Sequence, residues 1–567
     1  LTSSNKGPLN AKGEILIFLN NDTQVHPDWL SSIEQTFDKQ KNVGAVGSKL
    51  IYPDGRLQEA GGIIWRDGSG CNYGKYDSPI QSEFCYMRDV DYCSGASLAT
   101  PRDTFLKLGS FDERFSPAYY EDTDYCFQVR ENGYRVIYQP ESVVIHYEGL
   151  SCGRDINTGV KAQQKKNQTI FKKKWEKQLL EHNEPQAKFS EKYKSANKHG
   201  DKKIVLIIDS YAPCYDKESG SNRIFSIIKI FIELKYHVIF FPDNYFGEQP
   251  YTKTLQQLGV EVICKEYCAV NSSPIKELKK RLPIINISWI CRPQLFKKYY
   301  RYFISQKSLF LIYDTVDLHF LRLKRQWELE EKSNKVLEKK WKKYLKLEKK
   351  CSRNAHLTIT VTEDECSIVK EWGTNSDVIP NIHDAVEDHS LNFEDRSGIL
   401  FIGSYLHPPN VDAVMWLCEE IMPIIWEFDR KITLTLLGSN PTNEVLNLRN
   451  ENVIVPGYVQ NVEPYFGSSR VFVAPLRYGA GMKGKVGQSL AFGLPVVTTK
   501  IGAEGMGLVN GKNVLIADNC ESISQSLLSI YNDQEKWCNF SNEAISHIEA
   551  FSPQNISKKL FNLVNTK

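Results

Sequence analysis

Net charge, long apolar runs and a cysteine framework are all scarce in this 567-residue sequence. Lys+Arg 71 stand against Asp+Glu 68, a formal +3, so no global field argues for nucleic acid as a partner. No apolar run reaches the roughly 18 residues that a membrane-spanning helix needs, and no signal-peptide pattern is present. Any membrane contact is therefore expected to be peripheral, at the inner face of the cell membrane. Fourteen cysteines are scattered without a paired Cys-x-x-Cys framework, and the closest two, Cys264 and Cys268, have no second pair to complete a zinc site. They read as reduced thiols, and the cytoplasm is the expected compartment.

What is present is ordinary globular material, 41% hydrophobic and 25% charged, long enough for several domains. The first chemical pattern is Leu19 to Thr23, LNNDT. It follows Ile15 to Leu19, an apolar run of strand length, and open α/β sheets collect ligands at the carboxyl ends of strands. Further on, Asp112, Glu113, Glu121, Asp122 and Asp124 crowd around Tyr119-Tyr120, and His146 closes an apolar run from Val143. Asp22 with His146 makes a carboxylate and imidazole pair suited to Mn²⁺ or Mg²⁺, whose charge would neutralise a diphosphate leaving group. Glu121 and Asp122 offer a general base for an attacking hydroxyl. Taken singly, each has a plainer reading: a turn or cap for Asp22, a structural histidine, acids at a helix N-terminus.

Between these, Pro27-Asp28-Trp29 predicts a helix to about Lys41, followed by a small-residue strand. EAGGIIWRDGSGCNYG carries turn glycines, and Trp65 offers a flat apolar face for a sugar ring, with core packing as the alternative. Gly95 lets the backbone approach a ligand, or else marks a bulge. Arg135 to Tyr138 and Val143 to Tyr147 read as two strands, with Gly149-Leu150-Ser151 as the loop that follows. Val160 to Leu180 reads as a basic helical tail.

The motifs LNNDTQV, EAGGIIWRDGSG, DYCSGASL, GSFDERFSPAYYEDTDY and VVIHYEGLSCG, in this order, resemble family 2 glycosyltransferases of the GT-A fold. The resemblance implies Asp22 and His146 as metal ligands, Asn20 in the donor-binding Asp-x-Asp position, and Asp122, with Glu121 beside it, as the inverting base. Trp65, Asp67 and Gly95 would border the acceptor. Only a short polar segment precedes Ile15, so the nucleotide-binding half that opens such domains is expected to be missing, leaving a partial domain over 1–180.

Residues 181–202 are polar, without a sustained apolar face, and read as a linker. At Lys203 a strand, glycine-containing loop, helix and strand begin a βαβ series. Gly220-Ser221-Asn222-Arg223 precedes a helix, where free N–H groups meet anions. LFLIYDTVDLHFLR runs a strand into Asp314 and Asp317. Leu323 to Arg353 reads as one long helix with twelve Lys/Arg and five Glu. Leu337, Trp341 and Tyr344 form its packed face, and its cationic exterior is either solvated or turned to an anionic membrane.

A second βα series starts at Ile399. Its loop over Pro475 to Gly493 carries Gly479, Gly481, Gly484, Lys483 and Lys485 before a helix, a cradle for a diphosphate. Two Rossmann-like subdomains, 203–397 and 398–567, are expected to enclose a ligand. FIGSYLHPPNVDAV, GYVQNV, PLRYGAGMKGKV and AFGLPVV resemble family 4 glycosyltransferases of the GT-B fold, with Pro553 to Val564 as the helix that crosses back. By that resemblance Gly220, Ser221, Arg223, Gly403, Ser404, Gly479, Gly481, Lys483, Lys485 and Gln488 bind the donor. Gln488 stands where the family has its ribose-binding Glu, and Ala480 where it has the first Glu.

The expected fold is α/β, a partial GT-A domain followed by a GT-B pair of Rossmann-like subdomains. The expected activity is hexosyl or deoxyhexosyl transfer from a nucleotide-sugar donor to a bacterial glycan or lipid-linked glycan, such as O-antigen or capsule. The GT-A half would be metal-dependent and inverting, and the GT-B half would need no cofactor. Two alternatives stand beside this: activity in the GT-B half alone, and a non-catalytic glycan-binding scaffold.

Overall fold

The computed structural model describes residues 2–147, 160–197, 202–306, 308–386 and 392–565; the Gly149-Leu150-Ser151 loop lies outside them. The chain forms two compact units. The first comprises Leu1–Leu206 and Lys235–Ile285, the second Ile207–Leu234 and Asn286–Lys567.

In the first unit a mixed sheet runs in the order Ile15–Leu19, Ser97–Pro101, Val43–Ile51, Arg135–His146, Thr23–Val25. Val43–Ile51 and Arg135–His146 pair in parallel. The two strands expected between Arg135 and Tyr147 are one. The register shifts between Ser48 and Lys49, whose partners are Gln139 and Val143, and this irregularity accommodates Pro140, which cannot donate to the ladder. The helix after Pro27 spans Trp29–Lys39, and that over the acidic cluster spans Glu121–Glu131.

The stretch 181–202 contains a helix, Phe189–Ala196, which buries Tyr193 and Ala196. Tyr193 OH donates to Glu261 Oε2 at 2.5 Å. Ser82 Oγ and Arg281 Nη2 each donate to Glu261 Oε1 at 2.6 Å, and Arg281 Nη1 donates to Glu277 Oε2 at 2.6 Å. Arg281 and Glu261 are both wholly buried. Removing one member of such a pair costs about 3–5 kcal/mol because its partner is left charged and dry.

In the second unit the parallel strands Ile287–Cys291, Phe310–Asp314, Leu357–Thr360 and Ser376–Val378 are neighbours in that order. A second parallel sheet has the order Val453–Gly457, Leu434–Leu437, Ile399–Ile402, Val471–Ala474, Val496–Thr498, Leu515–Ile516. These strands are apolar almost throughout and buried, as parallel strands covered on both faces must be. Helix Pro553–Asn565 packs on helix Ser219–Glu233.

The long helix expected over Leu323 to Arg353 is two, His319–Leu329 and Lys335–Asn354. Glu331 and Lys332 adopt positive φ of 51° and 62°, which ends the first. Asn334 then caps the second, its side chain accepting from the N–H groups of Val336 and Leu337.

Candidate active sites

Strand register builds the first site. Thr23 lies opposite His146, so Asp22, one residue earlier, meets the end of the long strand. Asp22 Oδ1 and His146 Nε2 are 3.3 Å apart, and Asn20 Nδ2 is 3.4 Å from the same nitrogen. His146 Nδ1 is 3.1 Å from Gln58 Oε1, an acceptor, so Nδ1 carries the proton and Nε2 presents its lone pair. A lone pair facing a carboxylate oxygen at this distance is satisfied by a proton or a divalent cation between them, and the Gln58 contact is the outer support such ligands use. Asp22 and His146 are two groups of the type that ligate Mn²⁺ or Mg²⁺. Among the described residues no group of three His, Cys, Asp or Glu side chains could hold a metal.

The acidic pair is held under strain. Tyr119 and Tyr120 both have φ of 75°, a region bulky residues avoid and that recurs at functional sites. Asp122 then accepts from Gly95 N at 2.8 Å and Thr123 N at 2.7 Å. Burial nonetheless pushes Asp122 above its ordinary value, those hydrogen bonds opposing it. Burial and the Asp122 charge push Glu121 up to about 8, and Glu121 Oε2 is buried without a hydrogen-bond partner. Asp124 is committed to Lys174 and Trp175, at 2.7 Å each.

Each of the three expected acceptor residues has contacts within the domain. Trp65 is 4% exposed within the core and presents no free face to a sugar, because its hairpin folds it inward. Asp67 Oδ1 accepts from the Ser69 N–H and hydroxyl, closing its own turn. Gly95 donates to Asp122, so its part is to anchor the carboxylate.

The second site is a cavity of about 590 Å³ in the second unit. Its lining includes Gly220, Arg223, Gly403, Ser404, Gly479, Gly481, Lys483, Lys485 and Gln488, all expected from sequence. Ser221 is buried in its helix and does not line the cavity. Arg223 is pinned to Asp314 Oδ2 at 2.7 Å and to Ile379 O at 3.0 Å, while its Nη2 is buried without a partner. Gly481 has φ of 70°, which favours glycine, and at Gly484 a Cβ would collide with Ser219 Oγ.

Lys483 stands at the N-terminus of helix Gly484–Ala491, where free N–H groups add to its charge. Its Nζ donates to Gly481 O at 2.5 Å and lies 3.7 Å from Glu504. Burial pushes Lys483 down to about 8, the Glu504 charge opposing it. Lys485 Nζ donates to Asn410 Oδ1 at 2.5 Å and sits over the Phe401 ring; burial, then Lys483, push it down to about 7.

Sequence reasoning missed Asn410, which also donates to Ser404 O at 2.7 Å, and His383. Burial pushes His383 down to about 4, and its Nε2 is buried without a partner at the cavity. Asn410 had a signal in the HPPN turn that opens helix Pro408–Trp416; His383 follows its strand by five residues and had none.

Comparison with known proteins agrees with this division. Residues 2–175 match the model described as "Glycosyltransferase like family", and residues 396–533 that described as "Glycosyl transferases group 1". An uncharacterized protein of Sinorhizobium fredii, y4gI, is 30% identical over 30% of this chain and 19% of its own length. The O-antigen biosynthesis protein RfbC of Myxococcus xanthus is 33% identical over 26% of this chain and 12% of its own. This chain thus matches less than a fifth of either relative. Similar solved structures include sucrose-phosphate synthase from Thermosynechococcus elongatus, at TM-score 0.49 and 13% identity, covering 64% of this chain and 99% of that one. Another is Anabaena Alr3699/HepE in complex with UDP and glucose, at TM-score 0.48 and 13% identity, covering 64% of this chain and 100% of that one. The chain has an α/β fold in which residues 2–175 are similar to the glycosyltransferase-like family and residues 396–533 to the group 1 glycosyl transferases, each match covering less than half of the chain.

Proposed function

We propose that the chain transfers hexosyl or deoxyhexosyl units from nucleotide-sugar donors to a glycan or lipid-linked glycan acceptor in the assembly of a bacterial surface polysaccharide. The observation that carries this is the cavity whose floor is the Gly479 to Lys485 loop. Two lysines line it at the start of helix Gly484–Ala491, a pairing of cations with free N–H groups that suits a diphosphate. The printed names of two relatives, an O-antigen biosynthesis protein and a protein in the cps region of Klebsiella pneumoniae, support the polysaccharide setting.

In the C-terminal site, Lys483 and Lys485 stabilise the charge that develops on the leaving diphosphate. In the N-terminal site, Asp122 accepts the proton of an acceptor hydroxyl. That oxygen bonds to the anomeric carbon as the bond to the diphosphate breaks, with inversion. Asp22, His146 and Asn20 would hold Mn²⁺ or Mg²⁺, which supplies positive charge to the diphosphate. The test is release of nucleoside diphosphate from UDP-, GDP- and dTDP-sugars with a lipid-linked glycan acceptor, in Mn²⁺ and in EDTA. Release that needs Mn²⁺ supports turnover in the N-terminal site, release that ignores EDTA supports the C-terminal one, and no release from any donor would refute the activity.

The acceptor brings the enzyme to a membrane in this reading. No helix among the described residues is long and apolar enough to cross one. Helix Lys335–Asn354 exposes Lys335, Lys339, Lys343, Lys346 and Lys350 along one face, with Val336 77% exposed beside them. Spacings of three and four residues align these cations, and an anionic lipid surface complements them. Binding to phosphatidylglycerol vesicles is expected to fall about tenfold or more when Lys339, Lys343 and Lys346 become Ala, at about 1 kcal/mol per cation. Unchanged binding would remove this face from the proposal.

A further inference from the structure

One wall of the C-terminal cavity is held in a conformation its sequence does not favour. Val316, which lines the cavity, has φ of 63°, an outlier for a β-branched residue. Three buried carboxylates impose it. Asp314 Oδ1 accepts from Val316 N at 3.0 Å, Glu365 Oε1 from Leu318 N at 3.1 Å, and the two oxygens of Glu348 from His319 N at 2.9 Å and Phe320 N at 3.2 Å. Four backbone donors of the turn and the helix start after it are thus fixed by Asp314, two residues before Val316, and by Glu348 and Glu365 from elsewhere in the chain, and strain of this kind persists only where the surroundings over-determine it.

The turn presents Asp317 to the cavity. Its Oδ1 is 3.0 Å from His319 Nε2 and its Oδ2 accepts from Arg322 Nε at 2.8 Å. Burial works against its charge, but Arg322 and His319 hold it ionised well below the usual carboxylate range. It packs directly against the loop that carries Lys483: a Cβ on Gly481 would stand 3.2 Å from Asp317 Cβ. The other two carboxylates of the lining are engaged elsewhere, Asp216 with Tyr458 at 2.6 Å and Glu218 with Tyr211.

Arg322 and His319 pair its charge, so Asp317 stands in the cavity lining as a hydrogen-bond acceptor, the partner that hydroxyls rather than phosphates need. Each oxygen retains a lone pair after its bond to His319 or Arg322. Resting on the reading of this cavity as a nucleotide-sugar site, we infer that Asp317 accepts hydrogen bonds from hydroxyls of the transferred sugar and makes the site select neutral sugars over uronic acids. A donor sugar with its own carboxylate would bring like charges together in a partly dry cleft, which is costly.

Calorimetric titration separates this inference from the one beneath it. The probes are UDP, GDP and dTDP, their glucosyl or mannosyl conjugates, and UDP-glucuronate and GDP-mannuronate. The wild-type chain is expected to bind one nucleoside diphosphate and its neutral conjugate, and the uronate at least tenfold less tightly. Asp317→Asn is expected to leave the diphosphate affinity unchanged or tighter, to weaken the neutral conjugate by about 10- to 100-fold, as for loss of a charge-assisted hydrogen bond, and to narrow the gap to the uronate. Val316→Gly, which relieves the strain and keeps the carboxylate, carries the test if Asp317→Asn does not fold; a several-fold loss for the conjugate alone is expected. If no nucleoside diphosphate binds the wild-type chain, the donor-site reading itself falls. If it binds and both variants treat diphosphate, neutral conjugate and uronate as the wild type does, the role given to Asp317 is overturned while the donor site stands.

Discussion

The two candidate sites gather charged groups of opposite sign. The N-terminal site is acidic, with Asp22, Glu121 and Asp122; burial raises the last two, and the Asp122 charge adds to it at Glu121. The C-terminal site gathers Lys483 and Lys485, and burial pushes both down; such a site is short of an anion. In each, groups of like sign are kept together at a cost that the right ligand removes, and the sign of the displaced pKa values indicates which ligand that is.

Exchange of single groups should break the comparison most sharply. Asp122→Asn is expected to lower Mn²⁺-dependent transfer by about 10²–10⁴-fold, the range of a lost general base, and to leave EDTA-resistant release untouched. Lys483→Ala is expected to lower EDTA-resistant release by about 10²–10³-fold, as for a lost oxyanion donor, with the reverse selectivity. Initial rates of diphosphate release for both variants, with and without Mn²⁺, would show whether the sites are independent. Equal losses in all four conditions would mean that they are not.

A smaller effect sharpens the C-terminal half of the comparison. With Lys485 near 7 and Lys483 near 8 in the unliganded cavity, a bound diphosphate raises both, so binding at about pH 8 takes up on the order of one proton. Affinity should therefore be fullest below about pH 7 and weaken as pH rises through these values. Calorimetry in buffers of different ionisation enthalpy measures the uptake directly. Zero uptake would show that the lysines are already charged without ligand.

Much of each site was readable because it obeys local rules. A strand running into Asp22, a glycine and lysine loop ahead of a helix, and acids at a helix start are contiguous in sequence and chemically distinctive. Trp65 was not readable, because whether an aromatic residue faces a sugar or the core depends on which way its hairpin folds. The break in the basic helix had a signal in Ser333-Asn334, residues that cap helices, but the positive φ of Glu331 and Lys332 had none. His383 stayed hidden because nothing near it in sequence marks it; its place comes from packing against Gly487.

The sequence by itself determined the α/β class and the charge that each candidate site carries, since apolar periodicity and glycine spacing act over a few residues at a time. Only the tertiary structure decided three further things. Strand register, with Thr23 opposite His146, brought together two metal-type ligands 124 positions apart. Helix Phe189–Ala196, polar enough to pass for a tether, became a buried element because Tyr193 finds Glu261. And the turn at Val316, which Asp314 holds locally from two residues before it, is fixed further along by Glu365 and Glu348 from elsewhere in the chain, two bonds that no local pattern encodes.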